Sequence, residues 1–221
     1  MYLLSSAYLP PVQYFTKLFT GETCLVEQHE HYVKQTYRNR CLIDSPNGVL
    51  PLTIPVEKFV LGKCKMKDVR ISGHDDWCRK HWQALVSSYY NTPYFEYYQD
   101  DFRPFYENKW EFLVDFNEEL TLKCCELIDI EPRIQRTEKY FALNELSDKV
   151  MPEECVSDFR MTISPKVSAF EKDSFHPKEY YQVFAHKYGF RPNLSIVELL
   201  FNMGPESVLV LRDSISPVAS E

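Results

Sequence analysis

The chain has 221 residues, 44% of them hydrophobic and 15% aromatic, with a formal net charge of −7. That length supplies one large domain, or a domain with a smaller lobe, and ample material for a core. The acidic balance excludes general nucleic-acid binding, which needs a basic face to displace counterions, and no run of about 18 apolar residues exists to span a membrane.

In chain order, Tyr2 to Ser6 reads as a short strand stopped by Pro10-Pro11, without the positive flank of a signal peptide. Proline at a helix start predicts a helix over Val12 to Phe19, ended by Gly21, and Thr23 to Glu27 reads as a second strand. Cys41 to Asp44, then Ser45-Pro46-Asn47-Gly48, then Val49 to Val56 is a hairpin signal, because Asn-Gly supplies the positive φ angles of tight turns. Pro51 and Pro55 make its second arm an edge or bulged strand, and Met66 to Ile71 reads as one more strand.

From residue 75 the period becomes helical. Trp77, His81, Leu85 and Ser88 share one stripe, with Asp75 or Asp76 as the cap. Tyr94 to Tyr98 opens a second helix after Pro93, and Lys109 to Ile128 is a third. Residues 131 to 175 read as surface loop or lid. Ser195 with Glu198 forms a capping box for a helix to Asn202, Pro205 begins a last helix through Leu211, and Ser214 to Glu221 reads as a tail. The predicted class is α/β (α+β): an N-terminal mixed β-sheet with a hairpin, followed by a mainly helical middle and C-terminal region. One domain over 1–221 is expected, β-rich in 1–72, helical in 75–130, loop-rich in 131–190, with C-terminal helices in 193–212.

Seven cysteines, none in C-x-x-C spacing, suit a reduced, cytoplasmic protein rather than a disulfide framework. Six glycines leave no glycine-rich phosphate cradle, and no nucleotide-binding, nucleophile-elbow or kinase motif is present. No motif calls for a cofactor. Chemistry concentrates in residues 28 to 40, which hold His29, His31, Tyr32, Lys34, Tyr37, Arg38, Asn39 and Arg40 between two apparent strands. Lys34, Arg38 and Arg40 form a basic cluster fit to hold a phosphate or carboxylate. Asn39 would point the opposite way, into the interior. His29 and His31 alternate, so on a strand they share a face, and with a third ligand they could bind zinc. His81, on an apolar helical face, reads as a core residue or as the best single general base if its helix borders a cleft. Asp115 and Asn117 could line a pocket, although a polar pair inside a helix is more often solvated.

Several separated motifs resemble the WbqC-like family. They are Tyr8-Leu-Pro-Pro-Val-Gln-Tyr-Phe15, Lys34-Gln-Thr-Tyr-Arg-Asn-Arg40, Asn47-Gly48, Leu52-Thr-Ile-Pro-Val56, Trp77 with His81, Ser88-Tyr89-Tyr90-Asn-Thr-Pro-Tyr-Phe95 and Pro192 to Phe201. The chain departs from the pattern at Ser6-Ala7, where many relatives carry Gln-Pro, and at Gln28 to Lys34, where many carry Asp-Asp-x-Gln-Tyr-x-Lys. The resemblance implies a transferase of acyl or aminoacyl type, working on a sugar-nucleotide or glycan precursor in bacterial surface-polysaccharide (O-antigen) biosynthesis. Its expected partner is that small-molecule substrate, with no nucleic acid and no membrane span; the sequence leaves the oligomeric state open. Expected catalytic residues are His81, His31 and His29. Expected binding residues are Lys34, Tyr37, Arg38, Asn39, Arg40, Tyr32 and Tyr89. Two other readings are a non-catalytic carbohydrate- or protein-binding scaffold and a metal-dependent hydrolase.

Overall fold

A computed structural model describes residues 1–59, 62–142, 156–166 and 173–215. Its centre is a four-stranded, wholly parallel sheet made of β1 (Tyr2–Ser5), β2 (Thr23–Glu27), β5 (Arg133–Arg136) and β6 (Ser157–Asp158), in the order β5-β2-β1-β6. Leu3 and Leu4 are neighbours yet both fully buried, as expected of a parallel strand covered on both faces. The fold class is α/β, as the sequence predicts.

Helix α1 (Val12–Phe19) connects β1 to β2 and buries seven of its eight residues. Its first backbone donors are met from outside the helix, Val12 N–H by the Leu194 carbonyl at 3.0 Å and Gln13 N–H by Asn193 Oδ1 at 2.9 Å. The hairpin β3 (Arg40–Ile43) and β4 (Leu50–Thr53) forms a separate antiparallel pair, turning at Gly48 with φ +106°. Helices α2 (Trp77–Tyr89), α3 (Phe95–Glu107) and α4 (Leu113–Ile128) follow. A one-turn helix α5 (Ala185–Tyr188) precedes α6 (Ile196–Met203) and α7 (Ser207–Asp213), which pack on α1. Phe201 on α6 meets Tyr89, Phe95 and Phe102 at ring separations of 5.1–5.4 Å, so α6 closes the core between α2 and α3.

Four local expectations change. Met66 to Ile71 is not a strand: Met66–Asp68 is a 3₁₀ turn whose Met66 and Lys67 N–H groups donate to the Glu30 and Gln28 carbonyls. The 131–175 segment is more than loop, because β5 and β6 complete the sheet. Arg-Ile-Gln-Arg and Ser-Asp carry too little apolar signal to read as strands, and backbone pairing to β2 and β1 recruits them. The capping box at Ser195 does not form: its Oγ donates to the Leu9 carbonyl, and Glu198 accepts from Asn202 instead. Asp75 and Asp76 do not cap α2 with their side chains but pair with Lys80 and Arg79. The remainder of the expected lid (143–155 and 167–172), Cys155 and the expected tail beyond 215 lie outside the described residues. Among the described residues no helix is long and apolar enough to cross a membrane.

Candidate active site

From β1 the chain steps to β2 and then β5 on one side, and returns to place β6 on the other. In open α/β sheets the ligand crevice lies outside the carboxyl ends of the strands where such a reversal occurs. Ser5, Glu27 and Arg136 end β1, β2 and β5 at that edge, and Asp158 ends β6. Arg38 Nη2 donates to Ser5 Oγ at 2.8 Å, and Ser5 Oγ donates to the Arg160 carbonyl. Arg160 forks onto Asp158, and its Nη1 lies 3.6 Å from Glu27 Oε2. Glu27, fully buried, accepts from the His29 and Phe141 backbone N–H groups and from the Thr137 hydroxyl, all within 2.8 Å. One continuous polar chain therefore runs across the carboxyl edge, from Arg38 through Ser5, Arg160 and Glu27 to His29.

Beyond Glu27 the 28–39 segment is a series of bends and turns, so His29 and His31 do not alternate on a strand face. His29 Nε2 lies 3.1 Å from the Thr137 carbonyl. A carbonyl only accepts, so that nitrogen carries the proton and Nδ1 is the acceptor; among the described residues nothing pairs with it. His31 is exposed and bridges to Lys65. Arg38 is 2% exposed, with its guanidinium committed to both oxygens of Glu30 at 2.8 and 2.6 Å. Lys34 is exposed, and Tyr32 is half-buried against Phe59, its phenol pushed up to about 12 by burial. Tyr37 is buried, and burial likewise lifts its phenol to about 12. Asn39 does face inward, its Nδ2 donating to the Ile54 carbonyl at 2.8 Å, while Arg40 lies on the hairpin beside Thr53. The structure thus brings His29 and Arg38 onto one edge and leaves Arg40 on the hairpin. Ser5, Glu27, Glu30, Thr137 and Arg160 complete that edge. Ser5, Thr137 and Arg160 come from three remote segments, which no local pattern in the sequence connects.

The sequence model of the WbqC-like protein family matches residues 5–210. The chain belongs to this family. A protein of Mycobacterium tuberculosis (strain ATCC 25618 / H37Rv), described as "Uncharacterized protein Rv1507c", is 28% identical over 228 residues, covering 95% of this chain and 96% of that one. No solved structure matches.

The WbqC-like motifs are distant in sequence but meet as joints of the fold. The Tyr8 hydroxyl is 2.9 Å from His81 Nδ1 and 2.9 Å from the Tyr106 hydroxyl. The Thr53 carbonyl favours the charged form of the ring, but burial outweighs it. Tyr89 accepts the Asp44 N–H at 3.0 Å, tying the hairpin to α2. His81 is therefore a satisfied, buried histidine, and burial lowers its pKa to about 4. The unfolded chain binds this proton near pH 6.5 while the fold refuses it. Its contribution is thus complete above about pH 6.5 and is lost as pH falls towards 4, roughly 3 kcal/mol in all. We expect the stability gap between wild type and His81→Gln to shrink over that window in urea titrations at stepped pH. A constant gap would show that His81 is not held neutral.

A cleft of about 600 Å³ lies between residues 71–78 and 106–110, with Trp77, Tyr106 and Trp110 on its wall. No three His, Cys, Asp or Glu side chains among the described residues are placed to hold a metal ion.

Proposed function

We propose that this WbqC-like protein is a transferase of acyl or aminoacyl type, acting in the bacterial cytoplasm on a sugar-nucleotide or glycan precursor of surface polysaccharide. The observation that carries this reading is the carboxyl edge of the parallel sheet at its reversal point, where His29, tied to Glu27 and Thr137, keeps an acceptor nitrogen with no partner among the described residues. In this reading His29 Nδ1 takes the proton of the accepting amine or hydroxyl. Lys34, exposed on the same 28–39 segment, would meet the substrate's phosphate or carboxylate, and Arg38 holds the edge rigid through Glu30 and Ser5.

A panel of nucleotide sugars and acyl thioesters, titrated against intrinsic tryptophan fluorescence, tests the proposal. At least one nucleotide sugar should bind with a Kd of about 1 mM or tighter, and Lys34→Ala should weaken it. Absence of any such binding removes the transferase reading. A second reading rests on Tyr90 and Tyr97, 57% and 78% exposed, which suit a carbohydrate- or protein-binding scaffold. Binding of neutral oligosaccharides alone, lost on Tyr97→Ala, would favour it.

A further inference from the structure

In Lys63-Cys64-Lys65-Met66-Lys67 every second residue is a lysine. Met66 is fully buried and Cys64 half-buried, while Lys63, Lys65 and Lys67 are all exposed, so the alternation turns the three ammonium groups to solvent. Backbone bonds clamp this run onto the 28–34 segment. Met66 N–H donates to the Glu30 carbonyl at 2.8 Å, Lys67 N–H to the Gln28 carbonyl at 2.9 Å, and Tyr32 N–H to the Cys64 carbonyl at 2.9 Å. Tyr32 also meets Phe59 edge-on, with ring centroids 5.6 Å apart, which draws in exposed Lys58. Val33 and Lys34 follow Tyr32, both exposed, Val33 by 39%.

Three separate segments thus present five lysines, Lys34, Lys58, Lys63, Lys65 and Lys67, on one face of a chain whose net charge is −7. The carboxylates exposed on the same segments are Glu57 and Asp68, and the nearby Glu30 is spent on Arg38. Among the described residues none of the five ammonium groups has an ion-pair partner. In physiological salt charges beyond about 8 Å are screened, so an approaching surface feels this face rather than the acidic remainder. A single phosphate is best gripped by a planar guanidinium fork, and lysines are mobile point charges. Here the free cations are lysines, spread over three segments and flanked by an exposed Val33. Such a face answers spread negative charge beside apolar matter. Nucleic acid lacks the apolar part, and as a long rod it would also meet the acidic remainder.

We infer that this face docks reversibly on an anionic lipid bilayer, the five lysines meeting headgroup phosphates and Val33 entering the headgroup layer. The inference does not depend on the transferase reading, since docking needs no substrate.

Cosedimentation of the full chain with vesicles of phosphatidylcholine, and of phosphatidylcholine with about 30% phosphatidylglycerol, tests it. The protein should sediment with the anionic vesicles only and be released when salt is raised to about 0.5 M. Replacing Lys63, Lys65 and Lys67 together by Gln should lower that partition roughly 100-fold, because each lysine near such a surface contributes about tenfold or slightly less. All three are exposed, and urea unfolding checks that the variant keeps its fold. Arg79→Gln, Lys80→Gln and Arg103→Gln in combination change the net charge equally from helices α2 and α3, and should leave vesicle binding in place. The inference is overturned by no binding to the anionic vesicles, by equal binding to both kinds, by undiminished binding of the lysine variant, or by equal loss in the helix variant. Capture of soluble polyphosphate without vesicle binding also overturns it, and assigns the face to a free polyanion.

Discussion

His29→Gln is expected to slow group transfer about 10²- to 10⁴-fold, the usual contribution of a positioned proton acceptor, without loss of fold or of nucleotide-sugar binding. Gln places an amide N–H where His29 Nε2 donates, so the contact to the Thr137 carbonyl is kept while the acceptor at Nδ1 is lost. Glu27 still receives the backbone N–H of residue 29 at 2.8 Å, so the edge keeps its shape. The measurement is single-turnover transfer on whichever nucleotide sugar binds, with His29→Ala supplemented by free imidazole as the companion. Recovery of rate by imidazole identifies a missing proton acceptor. Unchanged rates in both variants would remove His29 from the chemistry.

Arg38→Met should cost about 3–5 kcal/mol of stability, the second large effect. Both partners of the Arg38–Glu30 pair are largely out of water, with side chains 2% and 10% exposed. Removing one strands the other as an uncompensated buried charge. The loss also releases Ser5, the last residue of β1, from its donor. Arg38→Lys should recover little, because a single ammonium cannot occupy the two-oxygen fork that spans Glu30. Adding Glu30→Gln to Arg38→Met should recover part of the loss, since no stranded carboxylate then remains. Urea unfolding of wild type, Arg38→Met, Glu30→Gln and the double variant forms the cycle. Additive losses would mean that the pair is not coupled as its geometry implies.

The elements legible in the sequence are those whose signal is local. Pro11 at the start of the Val12–Phe19 run marks α1, the Asn47-Gly48 turn marks the hairpin, and the stripe of Trp77, His81, Leu85 and Ser88 marks α2; all three stand where the pattern puts them. Two strands of the sheet were not legible. β5 and β6 are held by backbone pairing to β2 and β1, and their side chains carry little apolar pattern of their own. The same limit applies to the candidate site. Residues 28–40 announce their chemistry by composition, but whether each group is free depends on partners elsewhere. Arg38 reads as an anion grip until Glu30 takes its guanidinium, and His81 reads as a base until Tyr8 meets its Nδ1 and burial holds it neutral. Asn117 reads as a solvated polar residue until Arg38 and Ser6 fix its amide and leave one oxygen bare.

By itself the sequence determined the α/β class, the order of most elements, the family resemblance and the stretch where polar chemistry gathers. These depend on periodicity, turn residues and composition, which act over a few neighbouring positions. The tertiary structure alone decided which strands complete the sheet, where its reversal point falls, and which polar atoms are spent on holding the fold. Those outcomes depend on contacts between residues as far apart as Ser6 and Asn117, or Glu27 and Arg160. A hydrogen-bonding group has a free valence only after every partner that folding brings to it has been counted.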